Sequence, residues 1–485
     1  MPDKANAISA TVWSAADILL RQGVQFGISI VLARLLSPEA FGTIALLYLF
    51  SGIAGIFAEG GLSSALIQQQ DTTLVDESTV FWLNAGLGTT VAGLFFLSGP
   101  LIADLYGVPV LEPLAGVMAL TVLAGAIGAV PRALFTKTMN FRPLVVVSIG
   151  SAILSGGIAV WLAWQGWGVW ALAMQAFVAA AVTTLLTWVV SPWRPAFVVS
   201  LASARRLFGF GGYILASALL ETVYSRIYTV LVGVFYGVTA LGYYTRADTT
   251  AQTPATILNS IIARVAFPHF SRLAAVDSIR LKENFRSALL GSMLIHAPAM
   301  LGLAAVAEPL VLSLFGEKWL PSAPFLQVLC LASLLMPMHV LNLQALLALG
   351  RADLFFRLEV IKKIIGIIIL LGASQFGPIG IAWGMVAVGI ASFFINTHYL
   401  SQLAGYGALA QLRDVTSIVL LAAAMAIMVA FLVAQAKAVP PVASLLIGIS
   451  SGTVVFLFVV IVLNVGGGAT IAKRLLTNIK RIKHS

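Results

Sequence analysis

Glu221–Asp248 reads ETVYSRIYTVLVGVFYGVTALGYYTRAD, and its interpretation decides the fold. Apolar segments flank it for hundreds of residues, yet it carries Glu221, Arg226, Arg246 and Asp248. Charge at membrane depth is costly, so such residues tend to face a cavity or each other and mark an ion or substrate path. Within the stretch, Leu231–Gly242 (LVGVFYGVTALG) matches Val31–Gly42 (VLARLLSPEAFG) at an offset of 200, with Ala40-Phe41-Gly42 falling on Ala240-Leu241-Gly242. A second copy of the first segment starts here.

The repeat continues downstream. Gly99–Gly107 (GPLIADLYG) matches Glu308–Gly316 (EPLVLSLFG) at offset 209, and Gly168-Val169 meets Gly380-Ile381 at offset 212. Three matches in one order, with a slowly drifting offset, describe two copies with small insertions.

Composition sets the medium. Of 485 residues, 60% are hydrophobic and 9% charged, against roughly 25% charged in soluble domains. Mean hydropathy is +1.00. This is a polytopic membrane protein, and no polar run is long enough for a large catalytic ectodomain. The net charge of +10 reads as cytoplasmic loops rather than nucleic-acid binding. The single cysteine, Cys330, lies in an apolar run as a small core residue, so no disulfide framework or cysteine metal cluster forms within one chain. The N-terminus lacks the basic, apolar and cleavage regions of a signal peptide, so its first apolar run is expected to be a retained helix.

A spanning helix needs about 20 mostly apolar residues. Fourteen candidates fall near 10–33, 41–59, 79–101, 112–134, 143–164, 168–190, 207–233, 239–262, 287–315, 322–348, 355–374, 378–399, 414–435 and 441–464. The eighth is the weakest, since TRADTTAQTPAT is polar and must face water or protein. Alternate loops and the two tails hold twenty-two of the 28 lysines and arginines, Arg132, Lys362 and Lys363 among them; the opposite loops hold three. That asymmetry places both termini in the cytoplasm. The outer loops are short and leave no room for an active site of ordinary size. The tail IAKRLLTNIKRIKHS reads as an amphipathic helix on the anionic inner leaflet.

The expected organisation is therefore all-α: an N-terminal lobe over 1–200 (helices 1–6), a C-terminal lobe over 201–404 (helices 7–12), helices 13 and 14 over 405–469, and a basic tail over 470–485. Each copy has an even number of crossings, so the repeats are parallel. Transporters so built bind substrate between halves near the midplane and rock to alternate access.

Trp13-Ser14, Leu32-Ala33-Arg34…Phe41-Gly42, Ser64-Ala65-Leu66-Ile67-Gln68, Phe81-Trp82-Leu83-Asn84-Ala85-Gly86-Leu87-Gly88 and Phe315-Gly316-Glu317-Lys318-Trp319 are further signals. Through these strings the chain resembles, over nearly its whole length, the Wzx-type polysaccharide flippases of the multidrug/oligosaccharidyl-lipid/polysaccharide exporter superfamily, nearest to the colanic acid exporter branch. The resemblance implies fourteen helices, two MATE-like lobes around a central cavity, and an oligosaccharide repeat unit on undecaprenyl pyrophosphate moved across the bacterial inner membrane. It implies a cationic cavity for the pyrophosphate, and coupling to an ion or the membrane potential. Polysaccharide polymerase and glycosyltransferases are the expected partners, with no cofactor and no nucleic acid.

Each buried charge has two readings. Asp17 and Arg21, spaced i, i+4, share a helix face; they form an internal pair, or Arg21 meets an anion. Glu221 and Arg226 lie about 140° apart on one helix. Arg226 and Arg246 sit at matched depth, where guanidinium forks would suit a pyrophosphate; alternatively Arg246 pairs with Glu221 or Asp248. Glu59 is a coupling site or an interfacial residue, and Glu308 reads as the interfacial end of its segment. His296 and His339 relay protons or pack. Tyr224, Tyr228, Tyr236, Tyr243 and Tyr244 could stack on sugars. So could Trp161, Trp164, Trp167 and Trp170, which read more simply as an outer aromatic belt. No GxxxxGK[ST] loop is present, which argues against ATP drive. A cation-coupled multidrug antiporter is the alternative function, and a membrane-embedded glycosyltransferase or ligase a third.

Overall fold

The computed structural model describes residues 22–59, 61–69, 71–274 and 278–463. Asp17, Arg21 and the basic tail lie outside them, as does the Glu59 side chain. The described residues are helical almost throughout, and no strand occurs among them. In lipid a helix satisfies its own backbone, which is why an apolar chain of this composition takes this form.

The chain divides into two compact units, Met1–Gly242 and Tyr243–Ser485. In the first, α1 covers 22–35. It is followed by α2 (Pro38–Glu59), α3 (Leu62–Gln68), α4 (Leu74–Leu97), α5 (Gly99–Tyr106), α6 (Leu111–Lys137), α7 (Phe141–Trp164), α8 (Val169–Val190) and α9 (Leu201–Ser225). Helix α10 (Ile227–Ala274) is interrupted at Gly237, where φ is 80° and ψ 173°, and it runs on past Gly242. The second unit continues with α11 (Ser278–Ala305), α12 (Ala307–Leu314), α13 (Ala323–Ser333), α14 (Met336–Ala348), α15 (Ala352–Ala373), α16 (Gly377–Ala404), α17 (Ala408–Gln435) and α18 (Pro441–Val462).

Eleven helical stretches among the described residues are long and apolar enough to cross a membrane. Ile214–Leu258 and Asp353–Leu403, at 45 and 51 residues, are each about twice the length one crossing needs.

Several expected single helices are broken, each for a local reason. The segment 207–233 is interrupted at Arg226, whose φ of −105° and ψ of 5° end α9. The segment 322–348 splits into α13 and α14, because Pro337 cannot donate to the carbonyl of Ser333. The segment 79–101 ends at Leu97, and α5 begins with Pro100 in its first turn. Arg132, Lys362 and Lys363, counted as loop residues from the sequence, lie inside α6 and α15. Gly168, at φ 56°, precedes α8, and Gly377, at φ 82°, opens α16; Gly380 lies inside that helix.

The FWLNAGLG string is explained by packing. Phe81 meets the rings of Trp82, Trp188 and Trp193 edge-on at 5.2–5.9 Å. Trp82 Nε1 donates to Ala196 O at 2.9 Å, tying α4 to the segment after α8. Buried Asn84 donates to Ser63 on α3 at 3.1 Å. A Cβ on Gly88 would stand 2.5 Å from Ala126 Cβ, so only glycine lets α4 lie this close to α6. The matched glycines of the repeat also share a contact. A Cβ on Gly42 would stand 1.7 Å from the Val238 carbonyl oxygen, and one on Gly242 1.9 Å from that of Pro38. Two backbones touch here in a reciprocal way that any side chain would prevent.

Candidate functional site

The first unit carries two adjoining open clefts of about 520 and 490 Å³, lined by a mixture of polar and apolar side chains, which share Tyr48, Arg132, Ala176, Ala179 and Thr183. Their walls come from α1, α2, α6, α7 and α8, with Arg226 at the α9–α10 break.

Arg132 is the charged feature of both. It follows Pro131, which lacks an N–H and so cannot donate to the Ile127 carbonyl one turn back. Trp188 Nε1 on α8 donates to that oxygen instead, at 3.3 Å, and Thr184 Oγ1 reaches Ala124 O at 2.7 Å. Arg132 itself folds back along α6, its Nη2 donating to Gly125 O at 2.9 Å. Seven residues of helix is a rise of about 10 Å. A long cationic side chain near a helix end ordinarily extends toward water. This one runs the other way, into the body of the unit. The sequence hid it, because Arg132 lies near the boundary where loop cations are counted.

Arg226 lines the second cavity together with Tyr48, Ser51, Gly52 and Gly55 of α2. Arginines 132 and 226 are thus brought to one site, a pairing that sequence reasoning did not make.

Arg246 has a different setting. It is 5% exposed. Its guanidinium carbon lies 4.9 Å from the centre of the Phe315 ring and 5.2 Å from that of Trp319. Trp319 is fully buried and meets Tyr243 edge-on at 6.2 Å. The FGEKW string therefore supplies an aromatic clamp for a buried cation. Glu221 is exposed and Asp248 half-buried; Glu308 is exposed in the first turn of α12.

His296 Nε2 lies 2.8 Å from Ser333 O, the carbonyl that Pro337 leaves without a helical donor. A carbonyl only accepts, so Nε2 carries the proton and the ring is a structural cap. His339 Nδ1 faces the Asn396 amide at 3.3 Å. Trp161, Trp164 and Trp167 are 55–74% exposed, at the end of α7 and in the following turn. Tyr228 and Tyr244 are buried.

Two latches escaped the sequence reading. Asp76 caps α4 through Thr73 and accepts from Arg206 Nη2 at 2.6 Å. Asp414 on α17 accepts both prongs of Arg286 at 2.8 Å and the Tyr406 hydroxyl at 2.6 Å. Burial and donation to Asp414 push the Tyr406 phenol above its ordinary pKa.

The second unit holds an apolar groove of about 480 Å³. Pro298 and Gly302 of α11, Met425 of α17, and Gly452 and Phe456 of α18 line it. Small residues open the space and apolar ones coat it. No cluster of three or more metal-ligating side chains occurs among the described residues.

The chain is 30% identical over 400 residues to the lipopolysaccharide biosynthesis protein WzxC of Escherichia coli (strain K12), covering 81% of this chain and 80% of that one. It is 30% identical over 382 residues to the teichuronic acid biosynthesis protein TuaB of Bacillus subtilis (strain 168), covering 77% and 78%. With the succinoglycan biosynthesis transport protein ExoT of Rhizobium meliloti (strain 1021) it shares 33% over 321 residues, 66% and 65% of the two chains. Among solved structures, the lipid II flippase MurJ in an inward closed conformation superposes with a TM-score of 0.70 at 16% identity, covering 97% of this chain and all of that one. An inward-facing MATE-family transporter of the MOP superfamily superposes at 0.60 and 17% identity, covering 81% and 96%. These two share the fold. Residues 31–324 match the family described as polysaccharide biosynthesis proteins, and the chain, a multi-pass membrane protein with the MOP-superfamily fold, belongs to that family.

Proposed function

We propose that this protein is a flippase, not an enzyme. It carries oligosaccharide repeat units on undecaprenyl pyrophosphate across the bacterial inner membrane for surface polysaccharide synthesis. The observation that carries the reading is the first unit's cleft, where Arg132 turns inward and Arg226 joins it. Guanidinium groups in a hydroxyl-lined cavity suit a phosphate-bearing head group. The groove of the second unit suits an isoprenoid chain, since its lining is apolar. The names of the relatives, which include a transport protein for succinoglycan and a lipid II flippase, support the same substrate class.

In this reading fourteen helices form two parallel six-helix repeats, 1–200 and 201–404, with two appended helices and both termini cytoplasmic. Alternating access then moves the head group, with Arg21, Arg226 and Arg246 as contact candidates alongside Arg132. Asp17, Glu59, Glu221 and Asp248 are the coupling or pairing candidates. Polymerase and glycosyltransferases act on either side of the step.

The test is complementation of a strain lacking its own flippase. The wild-type chain restores surface polysaccharide. Arg226→Gln and Arg132→Gln reach the membrane at normal levels and restore less than about a tenth of it, the loss expected when a charge-assisted contact of 1.5–3 kcal/mol goes. Normal export from both variants would overturn the head-group assignment. Restored drug resistance without polysaccharide would replace the flippase reading with a multidrug antiporter.

A further inference from the structure

We infer that the connection between α8 and α9, together with the first two turns of α9, is a binding surface for anionic phospholipid at the membrane boundary. It takes a phosphate-bearing lipid of the leaflet that borders this end of the first unit, the cytoplasmic leaflet in the topology proposed above. The inference concerns the lipid around the protein, so it stands apart from the substrate that is carried.

The connection, SPWRPAFVVS over 191–200, is neither helix nor strand, yet the protein satisfies its backbone. Ala196 N donates to Ser78 Oγ at 2.9 Å, and Ser200 N to Thr79 Oγ1 at 3.0 Å. Ala196 O accepts from Trp82 Nε1 and from Val198 N, each at 2.9 Å. Ser191 O accepts from Arg194 Nη1 at 2.6 Å. Pro192 and Pro195 have no N–H to place. In a loop that faces water, solvent supplies such partners; at the lipid boundary the protein must supply them itself.

The opposite side of the segment is apolar and open. Phe197 is 92% exposed, and Val199, Leu201 and Phe208 are each more than half exposed. Phe197 is held outward by stacking on Trp82, ring centres 5.2 Å apart. On α9, Leu201, Arg205 and Phe208 follow at i, i+4 and i+7, so they share one face, and all three are exposed. Ser203 and Leu207, on the other face, are buried. Left in water, this row of apolar side chains would be an exposed patch of the kind that marks an interaction site.

Charge selects the occupant. Between Glu112 and Glu221 the chain has no acid and six cations: Arg132, Lys137, Arg142, Arg194, Arg205 and Arg206. Arg206 is engaged by Asp76, while Arg194 and Arg205 stand exposed among the apolar residues. Basic side chains beside apolar ones are the pattern an anionic leaflet attracts. Arginines alone would serve a free phosphate as well; the apolar row beside them favours a phosphate that carries acyl chains.

The test uses the full chain in a Cys330→Ala background, with bimane on Phe197→Cys, reconstituted in phosphatidylcholine vesicles. A nitroxide on the upper acyl chain of added phosphatidylglycerol or phosphatidylcholine is the quencher. Both lipids should quench, phosphatidylglycerol at a mole fraction more than about tenfold lower, since each basic residue near an anionic surface contributes about fivefold. Arg205→Gln should reduce that preference about fivefold, and with Arg194→Gln added the two lipids should quench nearly alike. A second label at Val199→Cys, which spares the Phe197–Trp82 stack, should give the same order. Equal quenching by the two lipids with both arginines present overturns the inference. So does displacement of the nitroxide lipid by inorganic phosphate, which would mean a free-anion site. Aqueous iodide that quenches the labels at 197 and 199 as readily as one on Asp71→Cys, in the exposed turn before α4, would also overturn it and assign the apolar row to a protein partner.

Discussion

The two units use one device for different ends. In each, a proline inside an apolar segment deprives a carbonyl of its helical donor, and a ring N–H from a neighbouring helix replaces it. Pro131 leaves Ile127 to Trp188; Pro337 leaves Ser333 to His296. Each unit also ties a long helix to a later one through a carboxylate–arginine latch, with the signs reversed. In the first, the acid is Asp76 on α4 and the base Arg206 on α9. In the second, the base is Arg286 on α11 and the acid Asp414 on α17. The frames are alike and the interiors are not. The first unit opens a hydroxyl-lined cavity with two arginines, whereas the second clamps its arginine between rings and opens an apolar groove. Similar breaks and latches coexist with opposite lining chemistry because they tie helices together at positions away from the linings.

Three sets of substitutions probe that contrast through thermal unfolding in detergent. Trp319→Ala should be the most damaging, at about 3–5 kcal/mol for deleting a buried aromatic. It also leaves the buried Arg246 without one wall of its clamp. A loss no greater than that of an exposed aromatic such as Phe376 would mean that Arg246 is held elsewhere.

The latches should come next. Asp76→Ala removes acceptors from Thr73 and Arg206 at a site only 2% exposed, at roughly 1.5–3 kcal/mol. Asp414→Ala, with a carboxylate more open to water, should lose less. The reverse order would show that the second unit relies more heavily on its latch than the first.

The smallest of the three tests the proline caps. His296→Phe keeps the ring but orphans the Ser333 carbonyl, at roughly 1–3 kcal/mol. His296→Gln, which retains an N–H donor, should recover part of it. If export rather than stability is lost in both variants, His296 relays protons and the cap is incidental.

Much of the fold was legible in the sequence. Mean hydropathy is a sum over local composition, so it identifies a helical membrane chain without any contact being known. The FWLN and FGEKW strings resembled the family to which the chain belongs. The site was less legible. Arg246 was singled out as a candidate anion contact at membrane depth; the rings that flank it lie some seventy residues away in the chain. Arg132 was passed over because depth along a helix was read from its Cα, and a flexible side chain can move its charge by about a turn from there. The helix breaks at Arg226 and between α13 and α14 were missed because an apolar run looks continuous whether or not its hydrogen bonds are.

By itself, the sequence determined the medium, the helical class and the family, since each rests on properties a residue keeps wherever it is placed. Only the tertiary structure decided which arginine meets a cavity and which is buried under rings. It also decided which oxygen each freed carbonyl presents, and to which donor. Those outcomes depend on how each helix is rotated against its neighbours, and that rotation is set by close contacts such as Gly88 on Ala126 and Gly42 on Val238, between residues far apart in the chain.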